Sequence, residues 1–125
     1  MLLQFLGCAI NSALKRGGEI GARYGGIEFA ILLPGTSRDG AARVTEDIRK
    51  EFVRLCDQRE IDRTGLSVGI SCVIPKIADR SADLIMEADE GLYRAKQRGR
   101  NCTEFSPDVA PRSGLVAAEG LPLAA

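Results

Sequence analysis

Apolar residues stand at Leu2, Phe5, Leu6, Ala9, Ile10, Ala13 and Leu14, the stripe of an amphipathic helix that Gly17 and Gly18 end. The stripe is in full register from Leu2, with no Ser, Thr, Asp or Asn to cap its first turn, which points to sequence upstream of Met1. Ile20 to Tyr24 and Ile27 to Leu33 flank Gly25 and Gly26, a turn tolerant of positive φ that predicts an antiparallel hairpin. The second arm, Phe29 to Leu33, is apolar throughout and is expected to be buried on both faces. Pro34 and Gly35 end it. Ser37 or Asp39 then caps a helix with Ala41, Val44, Ile48, Phe52 and Leu55 turned inward. Leu66 to Ile74 predicts a further strand, stopped by Pro75. Ser81 opens a helix whose stripe is Ile85, Ala88, Leu92 and Ala95, with acids early and bases late as the helix dipole favours. Gly99 ends that helix, and Asn101 to Phe105 forms a short last strand.

This order, helix, hairpin, helix, strand, helix, short strand, is an α/β layout with helices flanking a sheet, and one strand is missing from the pattern. From Ser106 onward, three Pro, two Gly and five Ala among 20 residues carry no periodicity, so residues 106–125 are expected to be a flexible tail behind a domain at 1–105. With 125 residues, 17 Lys and Arg against 17 Asp and Glu, the chain is neutral. No global field holds a polyanion, which argues against a nucleic-acid partner. No window reaches the length of a membrane span. Without His or Trp, imidazole zinc sites and Ser/His/Asp chemistry are excluded, and chemistry must rest on carboxylates, Lys, Arg and backbone. Cys8, Cys56, Cys72 and Cys102 form no CxxC pair and read as reduced thiols of a cytoplasmic protein, not as a metal site.

The common phosphate-loop and dinucleotide signatures are absent, and two clusters remain. In Arg23 to Phe29, glycines at a hairpin tip let a ligand approach the backbone and put Glu28 beside it. A plain hairpin is the alternative reading. From Arg94 to Arg100, four basic side chains without an acid make a helix end able to hold phosphates, or simply cations that favour a helix carboxyl terminus.

Together the two clusters resemble the GGDEF domain of diguanylate cyclases. Arg23-Tyr24-Gly25-Gly26-Ile27-Glu28-Phe29 is similar to that family's RYGG(D/E)EF hairpin, Ser67-Val68-Gly69 to its later S(I/V)G strand, and Ala88 to Asn101 to its closing ADxALYxAKxxGRN motif, with Gly91 in place of Ala. The resemblance covers about residues 2–105. It implies a nucleotidyl-cyclase-like sheet flanked by helices, here lacking the family's first, central strand and first helix. It also implies the reaction of two GTP to cyclic di-GMP and two diphosphates, in a site formed between two facing domains.

Family members gather phosphate charge with Mg²⁺ or Mn²⁺ on an Asp of the first strand and on the acidic third residue of the hairpin motif. The third residue here is Ile27, and the first strand would lie upstream of Met1. Glu28 is the remnant catalytic carboxylate; Gly25, Gly26, Lys96 and Arg100 correspond to nucleotide-binding positions. Arg16 and Glu19 stand at the spacing of the family's inhibitory RxxD site, with Glu for Asp. No metal ligand set is expected, and Mg²⁺ or Mn²⁺ matters only to an active form. Three functions follow: a partial GGDEF domain without catalysis, a GTP- or cyclic di-GMP-binding regulatory module, and an active cyclase. A homodimer, or an upstream segment or sensor domain, is the expected partner. Loss of the central strand is expected to leave unpaired strand edges.

Overall fold

The computed structural model describes residues 2–26, 28–60, 64–73, 80–106 and 113–122. Helix α1 (Leu2–Ala13) leads into a hairpin, β1 (Ile20–Gly25) and β2 (Glu28–Pro34). Helix α2 (Arg38–Gln58), strand β3 (Thr64–Val73), helix α3 (Ser81–Gln97) and strand β4 (Thr103–Phe105) follow in the expected order. A further strand, β5 (Ser113–Pro122), ends the series.

The strands form one sheet in the order β1-β2-β5-β3-β4. β5 runs antiparallel to β2, from Glu28↔Glu119 to Pro34↔Ser113, and antiparallel to β3, from Thr64↔Pro122 to Val73↔Ser113. The expectation of a flexible tail from residue 106 is therefore corrected for Ser113–Pro122. Its composition is poor for a strand, but a central position offers hydrogen-bond partners on both sides, and strand formation answers to such context more than to intrinsic propensity. No strand precedes α1 among the described residues, and β5 occupies the centre that the missing first strand was expected to leave open.

Helices α1 and α2 pack together on one face. On that side the core joins Leu6, Ala9 and Ile10 of α1 to Phe29, Ile31 and Leu33 of β2. Ile48, Phe52 and Cys56 of α2 and Leu66, Val68, Ile70 and Cys72 of β3 complete it. Ser37 caps α2, its hydroxyl accepting from the Gly40 amide at 3.1 Å. Thr45 and Cys56 are fully buried on α2, while the expected Val44 and Leu55 pack at the margin. On the other face α3 covers β3, β4 and β5. Its cover falls short of β2, so Leu32 stays 38% exposed and the expected two-faced burial of that arm is corrected.

The α3 face of β3 is built from small residues, Ser67, Gly69 and Ser71, all buried. A Cβ on Gly69 would lie 2.1 Å from both the Ala88 carbonyl oxygen and the Leu92 nitrogen. Gly91 is the matching surface on the helix, where a Cβ would come within 3.2 Å of the Gly69 Cα. Two glycines thus set α3 directly on the sheet. No helix among the described residues is long and apolar enough to cross a membrane.

Candidate functional site

The ladders place the hairpin turn and the end of α3 at the same end of the sheet. Glu28 opens β2 opposite Glu119 of β5, and Glu119 is opposite Ser67 of β3. The Ser67 hydroxyl in turn accepts from the Asn101 amide at 3.2 Å, just past α3. The two motif clusters are thus held two strand spacings apart, roughly 10 Å, with β5 between them. Glu119 was not singled out in the sequence because nothing periodic surrounds it; its place depends on a long-range register.

At the hairpin, Gly25 pairs with Glu28 and the ladder shifts between Arg23 and Gly25. Gly25 therefore belongs to the ladder, and the turn starts at Gly26, one residue later than expected. Gly26 has φ +51°, and Arg23 Nε donates to its carbonyl at 2.7 Å, closing the turn on itself. A Cβ at Gly25 or Gly26 would meet no described atom within 4 Å, so internal packing does not demand glycine and the tip is open to a ligand. Ile27 lies outside the described residues.

At the other cluster, α3 ends through Gly99 at φ +105°, followed by Arg100 at +65° and Asn101 at +51°. Left-handed backbone at two non-glycine residues costs about 1–2 kcal/mol each, so the surroundings must hold it. They do so at several points. The Arg100 amide donates to the Ala95 carbonyl at 3.0 Å, and Asn101 Oδ1 accepts from the Leu66 amide at 3.3 Å. The Val68 amide donates to the Cys102 carbonyl at 2.9 Å.

The basic run divides by role. Arg94 Nη2 donates to the Phe105 carbonyl at 2.9 Å and Arg98 pairs with Glu104 at 2.7 Å, so both tie α3 to β4. Lys96 is half-buried on the same helix. Arg100 keeps a buried Nη1 with no hydrogen-bond partner among the described residues. A guanidinium nitrogen shielded from water and unpaired at a surface corner suits an anion, because the alternative is an unmet desolvation cost.

The structure does not bring Arg16 and Glu19 to this end. They lie beyond the start of β1, where a Cβ on Gly18 would sit 3.8 Å from the Pro34 ring, at the far end of the hairpin from Glu28. The Glu19 carboxylate accepts from the Arg16 backbone amide at 2.9 Å, and the Glu19 amide donates to the Arg16 carbonyl at 3.3 Å. Glu19 is thereby a turn-closing residue.

Comparison with known proteins agrees with these motifs. Residues 1–102 match the family described as "Diguanylate cyclase, GGDEF domain". Over 107 residues the chain is 34% identical to Diguanylate cyclase A of Treponema denticola, covering 83% of this chain and 28% of that protein. It is 34% identical over 87 residues to the response regulator PleD of Caulobacter vibrioides, covering 66% and 19%. Diguanylate cyclase TpbB of Pseudomonas aeruginosa is 35% identical over 112 residues, 82% of this chain and 25% of the relative. The chain thus spans less than a third of the length of these relatives. With hairpin, S(V)G strand and basic helix end in family order on an α/β sheet, the chain belongs to the GGDEF domain family of cyclic di-GMP signalling.

Proposed function

We propose that this chain is a GGDEF-family domain that does not turn over GTP and that keeps the family's basic corner as an anchor for the phosphates of a guanine nucleotide. The observation that carries the first half is Ile27. The family reaction joins two GTP into cyclic di-GMP and releases two diphosphates, and it is generally divalent-metal dependent. Hard cations require oxygen ligands. Ile27 stands at the hairpin position where the motif carries an acid, and a hydrocarbon side chain offers neither a ligand nor a proton acceptor. Among the described residues no three of His, Cys, Asp and Glu gather into a metal-binding group. The residues present do not fit the family's cation. Losing that source of charge neutralisation removes about 4 kcal/mol or more of transition-state stabilisation, roughly a thousandfold in rate.

The second half rests on Arg100, whose Nη1 is buried without a hydrogen-bond partner among the described residues and whose left-handed backbone follows α3 at the same end of the sheet as Glu28. Lys96 and Arg100 act as phosphate contacts, Gly25 and Gly26 leave room for the nucleotide to approach, and Glu28 is left without its acidic neighbour. The experiment is incubation of the purified chain with GTP and Mg²⁺ or Mn²⁺, with product separated by chromatography. No cyclic di-GMP above a no-protein control is expected, and product dependent on Glu28 would overturn the reading. Calorimetry with GTP and with cyclic di-GMP addresses binding. Heat that disappears in Arg100→Ala is expected, and no heat at millimolar ligand would remove the anchor. In the larger proteins of this family the domain acts beside other domains and as a dimer, so a second copy or an upstream sensor segment is the partner we assign to it.

A further inference from the structure

The centre of the sheet is filled by a segment that does not look like a strand. β2 and β3 both run antiparallel to β5, so they run parallel to each other on either side of it. Without β5 they would face one another across about 10 Å, too far to pair. They are held there by the helices and the core beneath them, Phe29, Ile31 and Leu33 on one side and Leu66, Val68 and Ile70 on the other, with α2 connecting the two. The cleft therefore presents two rows of backbone donors and acceptors whose spacing is fixed from outside. β5 meets seven register positions on β2 and ten on β3. Its sequence, Ser113 to Pro122, holds Gly114, Ala117, Ala118, Gly120 and Pro122, all residues depleted in strands. Its extended form comes from the cleft, as a bound peptide's does.

We propose that the cleft between β2 and β3 is a strand-acceptor site and that residues 113–122 are its ligand, taken from the same chain here and accepted equally from a second copy. This does not rest on the nucleotide reading. Recognition is strand addition on both sides at once, with main-chain hydrogen bonds carrying the affinity. Within one chain the segment is present at an effective concentration on the order of millimolar, so the cleft is masked to an added copy until the tethered segment is weakened.

The test uses the full chain carrying Val116→Pro and Ala117→Pro. Successive amides of a strand point to opposite neighbours, so the pair removes one donor toward β2 and one toward β3. A labelled synthetic peptide of residues 113–122 is then titrated into this variant and into the unaltered chain. Saturable one-to-one binding to the variant is expected, at least about tenfold tighter than to the unaltered chain. Amide protection at Ile31 of β2 and Gly69 of β3, whose main chains face β5, should fall in the variant and return with the peptide. A peptide carrying the two prolines should not bind. The proposal is overturned if the variant keeps unaltered protection at Ile31 and Gly69 without peptide, or if the peptide binds neither chain. An independent measurement covers a variant that fails to fold: in the unaltered chain, amides 115–118 should exchange at least about a hundredfold slower than in the free peptide. Exchange at the free-peptide rate overturns the assignment.

Discussion

The two halves of the candidate site differ in how much of the fold hangs on them. At the corner after α3, nearly every motif residue also does structural work. Arg94 and Arg98 fasten α3 to β4, Asn101 bonds to both Leu66 and Ser67, and Gly99 begins a left-handed run. At the hairpin tip the contacts are local: Arg23 holds Gly26, and the space around Gly25 and Gly26 is open. A substitution at the corner must disturb the sheet, whereas one at the tip can change chemistry and leave packing alone. This chain retains the motif at the corner and departs from it at Ile27 of the hairpin motif. Within α3 the chain also departs from the motif's Ala at Gly91, which lies close against Gly69 of β3.

The largest test of this contrast is Gly69→Ala. The added carbon would lie 2.1 Å from two α3 backbone atoms, too close for any rotamer to relieve, so α3 must shift off the sheet. A loss of about 3 kcal/mol or more is expected in denaturant melts, with weaker protection throughout α3. Asn101→Ala comes next. It leaves the Leu66 amide without its acceptor and puts alanine at φ +51°, so about 2 kcal/mol should be lost. Asn101→Gly should recover the backbone share of that loss.

The core between the halves gives a smaller, pH-dependent signal. Burial pushes the Cys56 thiol up, with Asp57 adding to the effect, and burial raises Cys72 against the opposing charge of Arg38. A thiol whose folded pKa is raised favours folding while the unfolded thiol is still protonated. That contribution is lost as pH climbs from the ordinary thiol value through the raised one. Melting temperature should therefore decline on the alkaline side, and Cys56→Ala with Cys72→Ala should flatten that decline. A thiol reagent at neutral pH should label the exposed Cys8 well before either buried cysteine.

The smallest expected effect, and the sharpest for the comparison, is Ile27→Glu. Stability should stay within about 0.5 kcal/mol and cyclic di-GMP should stay at the no-protein level, because one restored carboxylate does not by itself gather the several oxygen ligands that a hard cation takes. Measurable turnover by this variant would show that the hairpin alone had been at fault.

Most of the local structure was legible in the chain. The spacing from Leu2 to Leu14, the Ser37 cap before Ala41, the glycine turn and the α3 stripe each rest on neighbours within one or two turns, and the elements formed where those signals stood. The site motifs were legible for the same reason, each being contiguous. What escaped was non-local. Leu32 is apolar but half-bare because α3 stops short of β2. The turn slipped by one residue because a bulge after Arg23 set the register.

By itself the sequence determined the family, the order of helices and hairpin, the basic helix end and the absence of an acid at position 27, since all of these are written in residues close together along the chain. Only the tertiary structure decided that residues 113–122 would stand at the centre of the sheet and bring the hairpin tip and the α3 corner into one row. A segment of glycine, alanine and proline carries no strand signal of its own, and two parallel edges held one strand apart by a common core supply the hydrogen-bond partners that make it one.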